Sequence, residues 1–350
     1  MSSFYIEFRD PLFSIIILLA IIFVVSFFSY WWGRYKIKED HKYLDNFLKQ
    51  FHTLPSQKEI VDLIKNGDLP QKSWLLLADT YRKNGDFEKA IDIYSELLKL
   101  DNEGKNTRDI MFLLGKTYFK AGFLGRARDV FLEILKKTPR TPQVLHYLLL
   151  TYEYMREFSM AKEVLEPLEE LNEDILKESV YLRLLEIFQN QKNIDETIDE
   201  VIKIYQKYKI LDRMVFEYLF MKNSKKAWEV LSSNIQKSKK IADILWRLEQ
   251  KDIDINVIKK DNFLKELFSA KGYVDLASNS DIFELDILIN VDKKVNASLN
   301  FEFICDKCKV AYPFGFNRCS NCHAIDTATI EYTLIRDYTR NADEEGYSFL

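Results

Sequence analysis

All four cysteines of this 350-residue chain fall in one stretch, FICDKCKVAYPFGFNRCSNCHAIDT. They form Cys305-x2-Cys308 and Cys319-x2-Cys322, with ten residues between the pairs. Each Cys-x2-Cys turn offers two thiolates with backbone N–H groups facing the sulfurs, and two such turns can close a tetrahedral site around one ion. Zn2+ suits a closed structural site, and iron can be held by the same four thiolates. A scattered disulfide framework needs cysteines elsewhere, and four free or cross-linked thiols fit poorly with a reducing cytoplasm. Cys319-Ser-Asn-Cys322-His323 also spells the attachment pattern of c-type haem. That reading leaves Cys305 and Cys308 unexplained and requires the body to lie outside the cytoplasm. His323 reads better as a neighbour of the fourth ligand than as a ligand.

Short strands must position these turns. The flanks Asn300–Ile304 and Thr329–Ile335 are rich in β-formers, as in a ribbon-like knuckle. So small a module depends on its metal for folding, with apparent binding of ~10–16 kcal/mol in comparable peptides. Four sulfurs fill the coordination sphere and leave no position for a reactive water. No phosphate-cradling glycine loop, nucleophile elbow or HExxH occurs elsewhere. Carboxylate pairs such as Glu169 and Glu170 read as solvated helix faces, and His41, His52 and His146 are scattered. Nothing here predicts an enzyme. The net charge of −4 argues against a nucleic-acid partner, which calls for a basic excess.

Most of the remaining chain repeats. Trp74–Asn102 reads WLLLADTYRKNGDFEKAIDIYSELLKLDN, Leu113–Pro139 reads LLGKTYFKAGFLGRARDVFLEILKKTP, and Leu148–Leu171 reads LLLTYEYMREFSMAKEVLEPLEEL. Registered on Ala90, Ala127 and Ala161, they align Tyr81, Tyr118 and Tyr152, and also Tyr94, Phe131 and Leu165. The second step is 34 residues at every aligned position and the first is 37, which puts about three extra residues near Glu103–Asn106. The pattern is that of a tetratricopeptide repeat, in which small residues let paired helices approach and aromatics fill the wedge between pairs. It fades after Glu173. Leu184, Leu185, Phe188, Val201 and Ile204 fit a fourth unit with Thr197 at the small position, and Lys225–Ile235 reads as another second helix with Ala227 there. Amphipathic helices without repeat identity follow to about Val295, and Tyr43–Lys65 reads as a capping pair.

Stacked pairs leave a concave groove lined by first-helix side chains. The register places Lys72, Leu75, Asp79, Arg82 and Lys83 in it from the first unit, and Phe112, Lys116, Phe119 and Lys120 from the second. His146, Leu150, Glu153 and Tyr154 come from the third. A mixed basic and aromatic lining suits a peptide or partner helix.

Ahead of the repeats, Pro11–Trp32 is uncharged over 22 residues, long enough for a helix to span the ~30 Å hydrocarbon core. Tyr30, Trp31 and Trp32 mark the headgroup level at its end. Arg34, Lys36, Lys38 and Lys42 follow it, which predicts a cytoplasmic body and contact with lipid headgroups. The expected organisation is therefore mostly all-α. An outside tail covers 1–10, a transmembrane helix 11–32, juxtamembrane and capping helices 33–70, and repeats 71–298. The metal knuckle covers 299–337 and a tail 338–350.

The order of anchor ending in Tyr-Trp-Trp-Gly-Arg, repeats and terminal cysteine knuckle resembles the lipopolysaccharide assembly protein B (LapB) family. The likeness is sharpest in LLGKTYFKAGFLGRARDVF and from Cys305 to Cys322. It implies a rubredoxin-like zinc ribbon with Cys305, Cys308, Cys319 and Cys322 as ligands, rubredoxin-type iron being the alternative. It also implies an inner-membrane protein that tunes lipopolysaccharide biosynthesis. Such a protein helps the membrane protease FtsH degrade the deacetylase LpxC, with other lipopolysaccharide assembly proteins as further partners. Lys309 stands where that family commonly has Gly, and His323 where a basic residue is usual.

Overall fold

The computed structural model describes residues 21–28, 57–66, 70–101, 106–190, 193–291 and 297–336. The described residues are mostly helical and divide into two compact units, 1–171 and 172–350. Of the expected span, Ile21–Phe28 is helical with exposed side chains, and the rest lies outside the described residues. No helix among the described residues is long and apolar enough to cross a membrane. Residues 102–105, which take in most of the expected insertion near Glu103–Asn106, and the segments 33–56 and 337–350 also lie outside them.

In the first unit, α1 (Gln57–Asn66) packs against the second helix of the first pair. The pairs that follow are α2 (Gln71–Asn84) with α3 (Phe87–Leu100), and α4 (Thr107–Lys120) with α5 (Leu124–Lys137). The third is α6 (Pro142–Tyr154) with α7 (Phe158–Glu163) and α8 (Leu165–Glu170). The registered small residues Ala90, Ala127 and Ala161 are fully buried, as the crossing requires. Tyr94 and Phe131 are also fully buried. Gly115 faces Phe131 so closely that an added Cβ would lie 2.5 Å from the ring, so only hydrogen fits between these two helices.

One turn recurs three times. Gly85, Gly122 and Arg156 adopt left-handed backbone, with φ of 90°, 82° and 61°. The N–H groups of Asp86, Phe123 and Glu157 then donate back to the carbonyls of Tyr81, Tyr118 and Tyr152, each at 2.9 Å. This is the Schellman end of a helix, which satisfies otherwise orphaned carbonyls and reverses the chain for the second helix. The turn carries the same spacing as the side-chain repeat.

The second unit continues with α9 (Leu176–Gln189) and α10 (Ile194–Tyr208), then α11 (Asp212–Lys222) and α12 (Ser224–Ser232). Thr197 and Ala227 are buried at the small positions assigned to them. A 3-10 turn (Ile235–Ile241) leads into α13 (Ala242–Arg247), α14 (Ile255–Ile258), α15 (Asn262–Ala270) and α16 (Phe283–Asn290). The chain ends in an antiparallel sheet of order β2-β1-β3: β1 is Ala297–Cys305, β2 Ala311–Tyr312 and β3 Ala328–Arg336. β1 and β3 pair continuously from Ala297↔Arg336 to Cys305↔Ala328. Leu299 and Ile325 join the apolar core of this unit's helices, and Phe301, Ile330 and Tyr332 pack against it.

Candidate metal centre and groove

β1 delivers Cys305 at its C-terminal end, and the tight link to β2 delivers Cys308. The second knuckle repeats the first. The N–H of Cys305 donates to the Val310 carbonyl at 3.0 Å and that of Cys319 to the Ala324 carbonyl at 2.9 Å. The N–H of Lys309 donates to the Cys305 carbonyl, and the N–H of His323 to that of Cys319, at 2.7 and 2.9 Å. Lys309 and His323, each just after the second cysteine of its turn, both sit in the left-handed region, at φ 59° and 60°. The expected place for Gly is thus strained backbone, held there by the turn.

The four Sγ atoms all lie within 4.8 Å of one another. Cys305 and Cys322 are 3.6 Å apart, as are Cys308 and Cys319, and no disulfide joins them. Zn–S bonds of ~2.3 Å in a tetrahedron put sulfurs ~3.8 Å apart, so the donor set fits such an ion.

The electrostatics agree. Burial raises the Cys305 thiol, but the nearby Thr327 hydroxyl and the N–H groups of Cys308 and Lys307 outweigh it and hold Cys305 at about 6. Burial likewise opposes ionisation of Cys319, and the N–H groups of Cys322 and Asn321 with the Tyr312 hydroxyl bring it below its ordinary value. Cys322 is pushed up to about 12, by burial first and then by the three neighbouring sulfurs. Four thiolates this close repel one another unless a cation compensates them.

Thr327 and Tyr312 were not legible as partners of the sulfurs. The Thr327 hydroxyl lies 3.3 Å from Cys305 Sγ and the Tyr312 hydroxyl 3.2 Å from Cys319 Sγ. Thr327 arrives through the Asp306 N–H to Thr327 carbonyl bond, and Tyr312 through β2, neither of which follows a cysteine spacing rule. His323 is half-buried; its carbonyl accepts from Arg318, and it is not among the grouped donor atoms.

The knuckle is seated on its own unit by two arginines. Arg213 of α11 holds Asp243 through two bonds of 2.7 Å, lies 4.7 Å from the Phe303 ring centre, and abuts Gly315. Arg318 lies 4.9 Å from the Tyr181 ring centre.

The groove residues separate into two groups. Lys72, Lys83, Lys120 and Tyr154 are exposed, and Leu75, Asp79, Phe112, Lys116 and His146 are half-buried. Arg82, Phe119, Leu150 and Glu153 are buried, which corrects their reading as open lining. Arg82 folds onto Asp79, which Lys83 also holds at 2.7 Å. Burial alone would raise the Asp79 carboxyl, but Lys83 and Arg82 lower it. Phe119 is covered by the rings of Tyr147 and Tyr154. α6 is buried continuously from Leu148 to Glu153, which removes Leu150 and Glu153 from the surface. Tyr147, which the register did not select, stands amid Phe112, Phe119 and Phe131 at ring separations of 5.5, 5.8 and 5.9 Å.

Residues 71–103 match the tetratricopeptide repeat family model. That match falls on α2, α3 and the turn at Gly85, so the first helix pair is a tetratricopeptide repeat. Such repeats are scaffolds for binding proteins. Among solved structures, a chain titled MamA AMB-1 is 20% identical, covering 49% of this chain and 92% of that one at a TM-score of 0.35. Another, titled MamA MSR-1, is 19% identical, covering 56% and 97% at a TM-score of 0.31. No curated protein matches the chain.

Proposed function

We propose that this chain is a membrane-anchored cytoplasmic adaptor whose repeats dock protein partners and whose terminal knuckle is clamped by Zn2+. In this reading Pro11–Trp32 is the anchor in the inner membrane, with the basic residues behind it on the cytoplasmic side. Cys305, Cys308, Cys319 and Cys322 hold the ion, which supplies a structural cross-link. Backbone N–H groups, Thr327 and Tyr312 stabilise the thiolates. The convergence of four sulfurs in a chain that also carries a tetratricopeptide repeat is the observation that supports it most.

The finer proposal is regulation of lipopolysaccharide biosynthesis by promoting degradation of LpxC by FtsH. Its support is the resemblance in the order of parts and in the cysteine block. Affinity purification of the full chain from membranes tests it. FtsH and lipopolysaccharide enzymes are expected among the co-purifying proteins, and their consistent absence overturns the proposal. A general scaffold for envelope assembly is the second reading, favoured by the same groove. It predicts an unchanged LpxC half-life on depletion, where the first predicts a longer one.

A further inference from the structure

Granted that the first unit's groove receives a protein partner, its charge distribution says what kind of segment fits. Lys116 stands in the middle of it, half-buried on α4. Its Nζ lies 5.5 Å from the Phe112 ring centre and 5.2 Å from that of Tyr147. Among the described residues it makes no ion pair.

The charged groups facing Lys116 are Arg82, Lys120 and Asp79. Asp79 is already engaged by Arg82 and Lys83. Burial first, then repulsion from Arg82 and Lys120, brings the Lys116 ammonium below its ordinary range. Ring faces attract a cation but supply no counter-charge. Lys72, Lys83 and Lys120 extend the positive surface along the same two helices. Tyr147, which touches Lys116, also meets Phe119, and on Phe119 stands Tyr154, 50% exposed, edge-on with ring centres 5.3 Å apart, offering a flat apolar contact.

A partly desolvated cation without an ion-pair partner, joined through Tyr147 and Phe119 to an exposed ring, is half of a charge-assisted recognition site. We propose that this groove binds an acidic segment of its protein partner, seating an Asp or Glu carboxylate on Lys116 and a neighbouring apolar side chain on Tyr154. Specificity then comes from the buried charge contact, and the surrounding lysines speed encounter.

The test uses the detergent-solubilised full chain and two short fluorescent peptides. One carries Asp and Glu around a Leu, and the other carries Asn and Gln at the same positions. The acidic peptide is expected to bind at least about tenfold tighter, with the difference shrinking as salt is raised. Lys116→Gln is expected to erase most of that preference, while Lys116→Arg keeps it. Should Lys116→Gln fail to fold, Lys120→Gln on the exposed surface is expected to reduce the preference, and Tyr154→Ala to weaken both peptides alike. Equal binding of the two peptides, or an undiminished preference in folded Lys116→Gln, overturns the proposal. Membrane purification separates this failure from that of the adaptor reading. Envelope partners recovered equally by Lys116→Gln and wild type leave the adaptor standing and remove this contact.

Discussion

Arg213 and Asp243, 30 residues apart, meet through two hydrogen bonds of 2.7 Å, with side chains only 8% and 3% exposed. Asp243 also accepts from Arg247. On its other side the same guanidinium stacks on Phe303 and abuts Gly315, so one side chain joins α11, α13 and the ribbon. A planar fork that pairs with a carboxylate and lies flat on a ring is a task for Arg and not for Lys.

Arg213→Ala is therefore expected to destabilise the second unit by ~3–5 kcal/mol, because Asp243 loses its buried partner. Arg213→Lys restores charge but not the fork, and is expected to recover only part of the loss. Chemical denaturation followed by Trp fluorescence checks both, since Trp228 and Trp246 lie in this unit. Wild-type stability in Arg213→Ala would show that the pair is dispensable.

Gly115→Ala is expected to cost ~1–3 kcal/mol by overpacking, since the new methyl meets the Phe131 ring at 2.5 Å. Adding Phe131→Leu should recover part of the loss by making room. Thermal unfolding of the single and double variants measures the coupling. Independent, additive losses would mean that the two helices are not held at this separation.

Arg156 takes the left-handed position that Gly85 and Gly122 occupy in the other pairs, with φ 61°. Arg156→Gly removes strain of roughly 1–2 kcal/mol, partly offset by the greater freedom of Gly in the unfolded chain. A net gain of up to about 1 kcal/mol is expected in denaturant midpoint measurements. A loss of stability would place an unrecognised contact on the Arg156 side chain.

Metal analysis of purified protein is expected to give one ion per chain. Cys305→Ser should lower that occupancy, and a strong chelator should make the β1–β3 ribbon cleavable by protease. The first unit should keep its helicity in both cases, because none of the four sulfurs lies in it. Full resistance of the ribbon after metal removal would show that its packing on the helices suffices.

Local chemistry is legible in the residues alone. Two Cys-x2-Cys turns announce convergent sulfurs because each turn is short enough to determine its own geometry. Ala90, Ala127 and Ala161 announce helix crossings because a crossing excludes larger side chains. The groove is less legible: Arg82 and Phe119 sit at first-helix positions that register alone assigns to open lining. Their burial comes from Asp79 on the same helix and from Tyr147 and Tyr154 on the next pair. The left-handed backbone of Lys309 and His323 is hidden for another reason. Lys rarely adopts that conformation and His does so only as a minority, so neither residue type announces it, and the knuckle turns impose it.

The amino-acid sequence by itself determined the repeat, its period and the pairing of thiols into two turns, since these depend on neighbours within a few helical turns of chain. Only the tertiary structure decided that Arg213 meets Asp243, Phe303 and Gly315, and that Lys116 stands between two rings without a carboxylate. Apart from Phe112 and Lys116, one turn apart on the same helix, those contacts join residues brought together by packing, where distance along the chain says little about distance in space.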